Sequence, residues 1–221
     1  MAKLVPKAGY LLLFDIRDST ARKEHFRKTW PKHVVTLNRQ AAGLGKRLAA
    51  DVGGKVFTKS IGDAVMVFVE CGINPKNSET VLLGMAEFRN RVEDMPTLEG
   101  LRLKCVGSLI AGDILGNGGD VLGRPVDFAF RMEQFADVTH MVINEPFHAS
   151  LGSPEQLGGF RFKVTSKIVK GWKEPEPIVL VVEIDTLLDT VRDMTPEATA
   201  NHVLLELFQL HAEGLKETKS E

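Results

Sequence analysis

The fold of this chain is decided by residues 11–20, LLLFDIRDST, together with a partner stretch at residues 57–68, FTKSIGDAVMVF. The first stretch is the apolar run of a buried strand that ends at Asp15 and is followed by a turn and a helix start. In the second stretch, Gly62 permits a tight turn between two strands and places Asp63 at its tip. The two stretches therefore predict two carboxylates, each displayed at the end of an apolar strand.

A pair of carboxylates in such surroundings predicts a cation site. Burying an isolated carboxylate is costly unless a nearby positive charge compensates it. Divalent ions such as Mg²⁺ and Mn²⁺ prefer oxygen ligands and suit this role. Taken singly, Asp15 is more often a helix cap and Asp63 an ordinary turn residue. The two together favour the metal site.

Composition limits the classes of partner. The chain has 221 residues, of which 43% are hydrophobic, and a formal net charge of −1, which fits a globular domain and gives no reason to expect a nucleic-acid or membrane partner. Cys71 and Cys105 have no paired spacing, so neither a disulfide framework nor a zinc site is indicated. No signal peptide and no membrane-spanning apolar run is recognisable, and the cytoplasm is the expected location.

The periodicity of apolar residues predicts an α+β protein with a ferredoxin-like antiparallel sheet and helices covering one face. Over residues 10–143 its predicted order is β-α-α-β-β-α-β-α-β, and a final pair of strands follows. The strands fall at residues 10–16, 55–60, 64–69, 101–110, 141–143, 160–163 and 177–184, and the helices at 19–30, 32–51, 78–92 and 123–135.

The pattern changes near the C-terminus and in one glycine-rich segment. GDILGNGGD, residues 112–120, is predicted as a turn. After residue 184, two further helices are predicted, at residues 186–192 and 196–215. The expected organisation is therefore a domain over residues 1–184 and a helical extension over residues 185–221.

Four motifs in this order resemble the catalytic domain of class III nucleotide cyclases, the adenylate and guanylate cyclase family. The resemblance covers about residues 10–184, and four motifs in order are far more specific than any one of them. They are FDIRDST at residues 14–20, KSIGDAVMVF at 59–68, DVLGRPVDFAFRME at 120–133 and VKGWKEPEPIVLVVEI at 169–184.

The resemblance implies a two-metal site that acts on a nucleoside triphosphate. Asp15 and Asp63 match the family's metal-binding aspartates, and the carbonyl of Ile16 would be a further ligand to Mg²⁺ or Mn²⁺. One ion would activate the ribose 3′-hydroxyl, and the other would hold the β,γ-phosphates. Ser19 and Thr20 open a helix toward those phosphates.

The resemblance also implies a homodimer with active sites between head-to-tail protomers. One chain would supply the aspartates, and its partner Lys59, Asp120, Asp127 and Arg131. Arg131 would stabilise charge on the α-phosphoryl group, and Lys170 would lie against the terminal phosphates. Asp127 and Arg131 are also spaced for an ordinary ion pair along a helix.

Only a few residues bear on which base the nucleotide substrate carries. Lys59 and Asp120 match a lysine and an aspartate that read adenine, and the same donor and acceptor also suit uracil. Phe57 shares a strand face with Lys59 and would shrink the pocket toward a pyrimidine. Asp127 stands where the family usually has asparagine.

These features most resemble the bacterial pyrimidine cyclases of Pycsar antiphage systems. Such enzymes make cyclic UMP or cyclic CMP as an alarm signal that a separate effector protein reads. UTP is the favoured substrate and ATP the alternative.

Two other classes of protein are also compatible with the sequence. One is a catalytically silent cyclase-homology module that binds nucleotide or a partner and signals through dimerisation. Asp15, Asp63 and Arg131 are all retained, which favours an enzyme. The other is a different palm-type enzyme, but a diguanylate cyclase would carry a GGDEF-like turn at residues 61–63, which read IGD.

Overall fold

The computed structural model describes residues 5–98, 100–117 and 120–184. The strands, in chain order, are β1 (Val5–Ile16), β2 (Lys55–Ile61), β3 (Ala64–Glu70), β4 (Leu103–Asn117), β5 (Asp120–Leu122), β6 (Met141–Asn144), β7 (Gln156–Leu157), β8 (Phe160–Ile168) and β9 (Pro175–Glu183). The helices are α1 (Ser19–His25), α2 (Trp30–Asp51), α3 (Pro75–Glu93), α4 (Arg124–Met132) and α5 (Glu145–Ser150), with 3-10 turns at Pro96–Leu98 and Glu133–Phe135. The two helices expected after residue 184 lie outside the described residues.

The strands form one sheet in the order β2-β3-β1-β4-β6-β9-β8-β7, with β5 paired to β4. β1 is antiparallel to both β3 and β4, and the pairing of β4 with β6 is parallel. The predicted α+β architecture with a largely antiparallel sheet is therefore confirmed. The position of β1 between β3 and β4 brings the turn after β2 beside the end of β1.

Helices cover both faces of the sheet, and the expectation that they cover one face is wrong. Tyr10, Leu12 and Phe14 of β1 pack in a layer with α2, α3 and α5, whereas Leu11 and Leu13 face the opposite layer. That second layer is closed by α4 through Val126, Ala129 and Met132. The physical reason is the consecutive apolar run LLLF, because a strand that is apolar on both faces has to be covered on both.

The glycine-rich segment is not the simple turn that the sequence predicts. β4 continues to Asn117, and its end pairs with β5 in a hairpin, with Leu115 opposite Leu122. The same part of β4 also pairs with the start of β1, with Val5 opposite Ile114. This shared ladder explains why both strands extend further than their apolar runs indicate, since backbone hydrogen bonds supply the pairing.

The helix boundaries differ from the predictions where asparagine caps were overlooked. The side chain of Asn74 accepts a hydrogen bond from the amide of Asn77 at 2.9 Å, so α3 begins at Pro75 rather than at residue 78. Pro75 fits the first helical position because its missing N–H is not needed there. Asn144 caps α5, a helix that the sequence analysis missed, by accepting from the amide of Phe147 at 3.1 Å.

The predicted helix over residues 19–30 is shorter than expected, and the helix predicted from residue 32 begins two residues earlier. α1 ends at His25, and α2 begins at Trp30 with Pro31 in its first turn. Residues 26–29 form turns between the two helices, and Pro31 fits the first turn of α2 because its missing N–H needs no partner there. Within the described ranges, no helix is both long enough and apolar enough to cross a bilayer.

Candidate active site

The register of the central strands brings Asp15 and Asp63 together. Asp15 lies opposite Ala64 of β3, and Asp63 is the residue just before Ala64. The turn that carries Asp63 depends on Gly62, whose φ of 64° lies in the left-handed region that glycine adopts without strain. Two aspartates that are 48 positions apart in the sequence thus lie at one end of adjacent strands.

Asp15 is held in surroundings that oppose its negative charge. Burial is the largest cause, and it raises the pKa of Asp15 from 3.8 to about 6 together with the negative charges of Glu133 and Asp63. The ammonium group of Lys104 acts in the opposite direction but does not cancel these effects. A carboxylate in this position gains stability when a cation binds beside it.

Asp63 keeps its charge more readily than Asp15. Burial alone would raise the pKa of Asp63, but a hydrogen bond from Ser19, its own backbone amide and the charge of Lys23 lower it below the ordinary value. The Lys23 ammonium lies 3.3 Å from a carboxylate oxygen of Asp63, and both side chains are partly exposed. Because the environments of Asp15 and Asp63 move their pKa values apart, the two neighbouring carboxyls titrate differently.

Lys104 and Glu133 complete this end of the sheet, and the sequence analysis assigned neither of them a role in the site. Lys104 lies opposite Asp15 on β4, and its Nζ donates a hydrogen bond of 2.6 Å to Glu133. Burial lowers the pKa of Lys104, but Glu133 and Asp15 outweigh it and the pKa is raised. Glu133 belongs to the quoted motif of residues 120–133, whereas Lys104 becomes a neighbour of Asp15 only once the strand pairing is known.

A cavity opens at the end of β1 beside these residues. Its volume is about 620 Å³, within the range of small-molecule sites. Its walls include residues from β1, from β4 and from the start of α1, among them Asp15, Ile16, Ser19, Thr20 and Lys104. The predicted metal ligands Asp15 and Ile16 and the predicted phosphate contacts Ser19 and Thr20 are thus brought to one place.

The oxygen donors near this cavity fit a hard divalent cation. Two carboxylates and the Ile16 carbonyl are the ligand type that Mg²⁺ and Mn²⁺ prefer. Burial, together with the negative charges of Glu133 and Asp63, raises the pKa of Asp15, so a cation bound there would stabilise its ionised form. No group of three or more His, Cys, Asp or Glu side chains in the described ranges is arranged as a metal site. Further ligands would have to come from main-chain carbonyls, water or substrate.

A second polar cluster surrounds Arg131 on α4. Its Nε donates to a carboxylate oxygen of Asp127 at 2.9 Å, the ion pair that the sequence spacing allowed. Its Nη1 donates to the carbonyl oxygen of Lys170 at 2.6 Å, and its guanidinium lies 5.5 Å from the ring centre of Trp172. Lys170 therefore meets Arg131 through its backbone, while its own side chain is exposed.

The Asp127–Arg131 pair and Asp15 line different cavities. Asp127 and Arg131 line a cavity of about 480 Å³ with residues of the loop before β9, Trp172 among them. Among the described residues, the walls of this cavity and those of the cavity beside Asp15 have none in common. Asp15 and Arg131 of one protomer therefore border two different cavities.

The predicted base-reading residues lie on β2 and β5. Phe57 is opposite Phe68 and Lys59 is opposite Met66. Phe68 and Met66 belong to the layer closed by α4, so Phe57 and Lys59 share the face on which Asp15 also lies. Asp120 begins β5, and its side chain lies outside the part of the chain that is described.

The raised pKa of Asp15 predicts a pH-dependent loss of stability in metal-free protein. The folded state binds this proton more tightly than the unfolded state, so the contribution of Asp15 is lost as pH rises from about 4 through 6. A shift of this size corresponds to at most about 3 kcal/mol in the free energy of unfolding. We expect Asp15→Asn to remove this part of the pH dependence and to be more stable than the wild type above pH 6.

Urea denaturation in the presence of EDTA, at a pH below 4 and at a pH above 6, measures the free energy of unfolding of the wild type and of Asp15→Asn. Asp51→Asn at the exposed end of α2 is the matched control and should follow the wild type. Equal pH dependence of wild type and Asp15→Asn would contradict the assignment.

The comparisons with known proteins identify the fold. No family model and no curated protein matches the sequence. Among solved structures, adenylyl cyclase CyaB from P. aeruginosa is similar with a TM-score of 0.59 at 20% identity, covering 82% of this chain and 96% of that chain. The catalytic core of a rhodopsin-guanylyl cyclase with converted specificity, in complex with ATPαS, is similar with a TM-score of 0.61 at 19% identity. The match covers 80% of this chain and 96% of that chain.

A third similar structure is the guanylate cyclase domain of RhGC from Catenaria anguillulae in complex with GTP. Its TM-score is 0.58 at 18% identity, and the match covers 80% of this chain and 97% of that one. The matches thus take in nearly the whole of each solved domain. The chain has the fold of the class III adenylyl and guanylyl cyclase catalytic domain, as the motifs predict.

Proposed function

We propose that residues 1–184 form a two-metal nucleotide cyclase, to which residues 185–221 add a C-terminal helical extension. The reaction converts a ribonucleoside triphosphate into its 3′,5′-cyclic monophosphate and pyrophosphate. The observation that carries the proposal is the convergence of Asp15 and Asp63 at the end of adjacent strands, beside a cavity walled by Asp15. The negative charge of the two carboxylates favours bound cations. The divalent metal ions that accompany a triphosphate supply them.

The residues of this cavity bind metal and phosphate. Asp15, Asp63 and the carbonyl of Ile16 would hold Mg²⁺ or Mn²⁺. When bound, two such ions lower the pKa of the ribose 3′-hydroxyl and offset charge on the β,γ-phosphates. The hydroxyl of Thr20, at the cavity wall, donates to a phosphate oxygen, and that of Ser19 does so when it exchanges Asp63 for the phosphate.

The second half of the site comes from the partner in a head-to-tail homodimer. This arrangement is supported by the different cavities that Asp15 and Arg131 line in one chain. In the reaction, the 3′-oxygen bonds to the α-phosphorus, the bond from that phosphorus to the bridging oxygen breaks, and the hydroxyl proton is released. Arg131 stabilises charge developing on the α-phosphoryl oxygens, and Asp127 holds Arg131 through its Nε. The Lys170 side chain, which is exposed, reaches toward the terminal phosphates.

UTP is the favoured substrate, and cyclic UMP the product. Lys59 donates to the uracil O4, and Asp120 accepts from N3–H, while the half-buried ring of Phe57 leaves room for a pyrimidine. A stand-alone pyrimidine cyclase fits a role in bacterial antiphage defence, in which a separate cyclic-nucleotide-responsive effector reads the product. The alternative is an adenylate cyclase that makes cyclic AMP with the same lysine and aspartate.

The experiment that tests the base assignment offers the purified protein each of the four ribonucleoside triphosphates separately, with Mn²⁺ or Mg²⁺. Products are resolved by chromatography and mass. Cyclic UMP as the main product supports the pyrimidine assignment. Cyclic AMP as the main product contradicts it and assigns Lys59 and Asp120 to adenine.

Phe57 should control the size of the base. We expect Phe57→Ala to raise the ratio of kcat/KM for ATP to that for UTP by roughly tenfold, because removing the ring enlarges the pocket. Val56→Ala is the matched control, since Val56 is adjacent on β2 and packs against the opposite layer. Kinetics with both nucleotides measure the ratio, and an unchanged ratio in Phe57→Ala would exclude Phe57 from base selection.

A silent nucleotide-binding module is the second candidate. It is favoured by one observation, the engagement of Arg131 with Asp127 and with the Lys170 carbonyl, which a structural ion pair also explains. Such a module would show a higher melting temperature with nucleotide and metal but no cyclic product. Melting curves recorded beside the product assay separate the two functions.

A further inference from the structure

The loop between β8 and β9 contacts Arg131 through three consecutive residues. The carbonyl oxygen of Lys170 accepts from Nη1 at 2.6 Å. Gly171 has a φ of +89°, and a Cβ added there would lie 3.2 Å from Nη1. The ring of Trp172 lies under the guanidinium, with 5.5 Å between Cζ and the ring centre. The loop therefore constrains the end of the arginine side chain.

Trp172 is itself fixed by the helix that carries Arg131. Its ring centre is 5.5 Å from that of Phe128, with the two rings tilted by 57°. Phe128 precedes Arg131 by three positions on α4, so both side chains leave the same side of the helix. Trp172 is partly buried between these contacts. The indole thus packs against one aromatic ring while presenting a face to the guanidinium.

One nitrogen of the Arg131 guanidinium is not used by the hydrogen bonds that the structure shows. The two hydrogen bonds use Nε and Nη1, and neither uses Nη2. Arginine loses about 2 kcal/mol of side-chain entropy when it is fixed. A cation–π contact contributes about 0.5–2 kcal/mol and constrains the plane of the guanidinium in addition to the two hydrogen bonds. Trp172 therefore offsets part of the cost of holding Arg131 in one orientation.

We propose that Trp172 is a positioning residue for cyclisation. It holds the guanidinium of Arg131 so that Nη2 meets the α-phosphoryl oxygen on which charge develops. This inference rests on the proposed cyclase function and deepens it, because it assigns to the β8–β9 loop the orientation of the arginine. Trp172 does not touch the reacting atoms and acts through Arg131.

Steady-state kinetics of Trp172→Leu and Trp172→Phe in the full-length chain test the proposal. Leucine keeps an apolar contact with Phe128 but removes the aromatic face, and we expect kcat to fall about tenfold with KM nearly unchanged. Phenylalanine keeps an aromatic face and should restore most of kcat. A merely structural role predicts a lower melting temperature in both variants and no recovery with phenylalanine. Equal kcat in Trp172→Leu and the wild type would overturn the proposal.

Gly171→Ala gives an independent perturbation of the same contact. The added methyl group would press on Nη1 and strain a backbone at φ +89°. We expect kcat to fall at least as far as in Trp172→Leu. Gly159→Ala is the matched control in a turn where a Cβ meets nothing within 4 Å, and it should leave kcat unchanged. Loss of activity in the control alone would also contradict the proposal.

Fluorescence tests the contact without relying on turnover. The chain has two tryptophans, so a Trp30→Phe background leaves Trp172 as its sole tryptophan. Arg131→Met in that background should shift the emission of Trp172, because the cation beside the ring is removed. An unchanged spectrum would overturn the contact even if the wild type proved inactive. Absence of product from wild-type protein with a normal Trp172 response would instead contradict the cyclase function.

Discussion

Asp15→Asn is expected to lower kcat by at least about 1000-fold, because the cation site loses one of its two carboxylates. Asparagine has nearly the same shape, so the protein should remain folded. Its metal-free stability above pH 6 should even increase, since Asp15 has its pKa raised to about 6 by burial and by the charges of Glu133 and Asp63. The measurement is cyclic-product formation at saturating triphosphate and Mn²⁺.

Two controls make this result specific. Asp63→Asn should give a loss of similar size, because Asp63 is the other carboxylate at the end of the adjacent strands. Asp18→Asn should retain activity, since Asp18 lines the same cavity but its side chain is 72% exposed and is not one of the proposed metal ligands, and asparagine tolerates its left-handed backbone at φ 55°. Normal turnover in Asp15→Asn or Asp63→Asn would refute the two-metal assignment.

Mixing two inactive variants is expected to restore activity. In a head-to-tail dimer of Asp15→Asn with Arg131→Met, one active site carries both substitutions. The other active site combines the intact Asp15 of one chain with the intact Arg131 of its partner. Random pairing makes half of the dimers mixed, so the recovered rate should be roughly a quarter of that of the wild type. Each variant alone should be inactive.

The structural basis of this prediction is the separation of the two clusters. Asp15 and Arg131 line cavities that share no wall residue among those described. The assay uses proteins co-expressed with two different tags and purified through both, so that only mixed dimers are measured and about half of the wild-type rate is expected. If the purified mixed dimers are no more active than either variant alone, one chain supplies both Asp15 and Arg131 to each site.

Much of the candidate site could be predicted because it depends on local sequence. The apolar run before Asp15 and the glycine at position 62 determine where each carboxylate is displayed, and the strand pairing then brings them together. The pairing of Arg131 with Asp127 was foreseeable from their spacing on a helix. These features require only a strand, a turn and a helix in the right order.

Other features could not be predicted because they depend on tertiary register. Lys104 lies beside Asp15 only through the pairing of β4 with β1, and Trp172 reaches Arg131 only through the path of the β8–β9 loop. The placement of α4 on the face opposite α2 and α3 likewise depends on how the chain crosses the sheet. Apolar periodicity identifies a buried face but does not identify which element covers it.

The most direct test of the central claim is the metal dependence of cyclic-nucleotide formation by the wild-type protein. Purified protein is incubated with each of the four ribonucleoside triphosphates, with Mn²⁺, with Mg²⁺ or with excess EDTA, and both the cyclic nucleotide and pyrophosphate are quantified. The account predicts equal amounts of the two products with Mn²⁺ and neither with EDTA. A folded, dimeric protein that binds nucleotide and forms no cyclic product with either metal ion or any of the four triphosphates would contradict it.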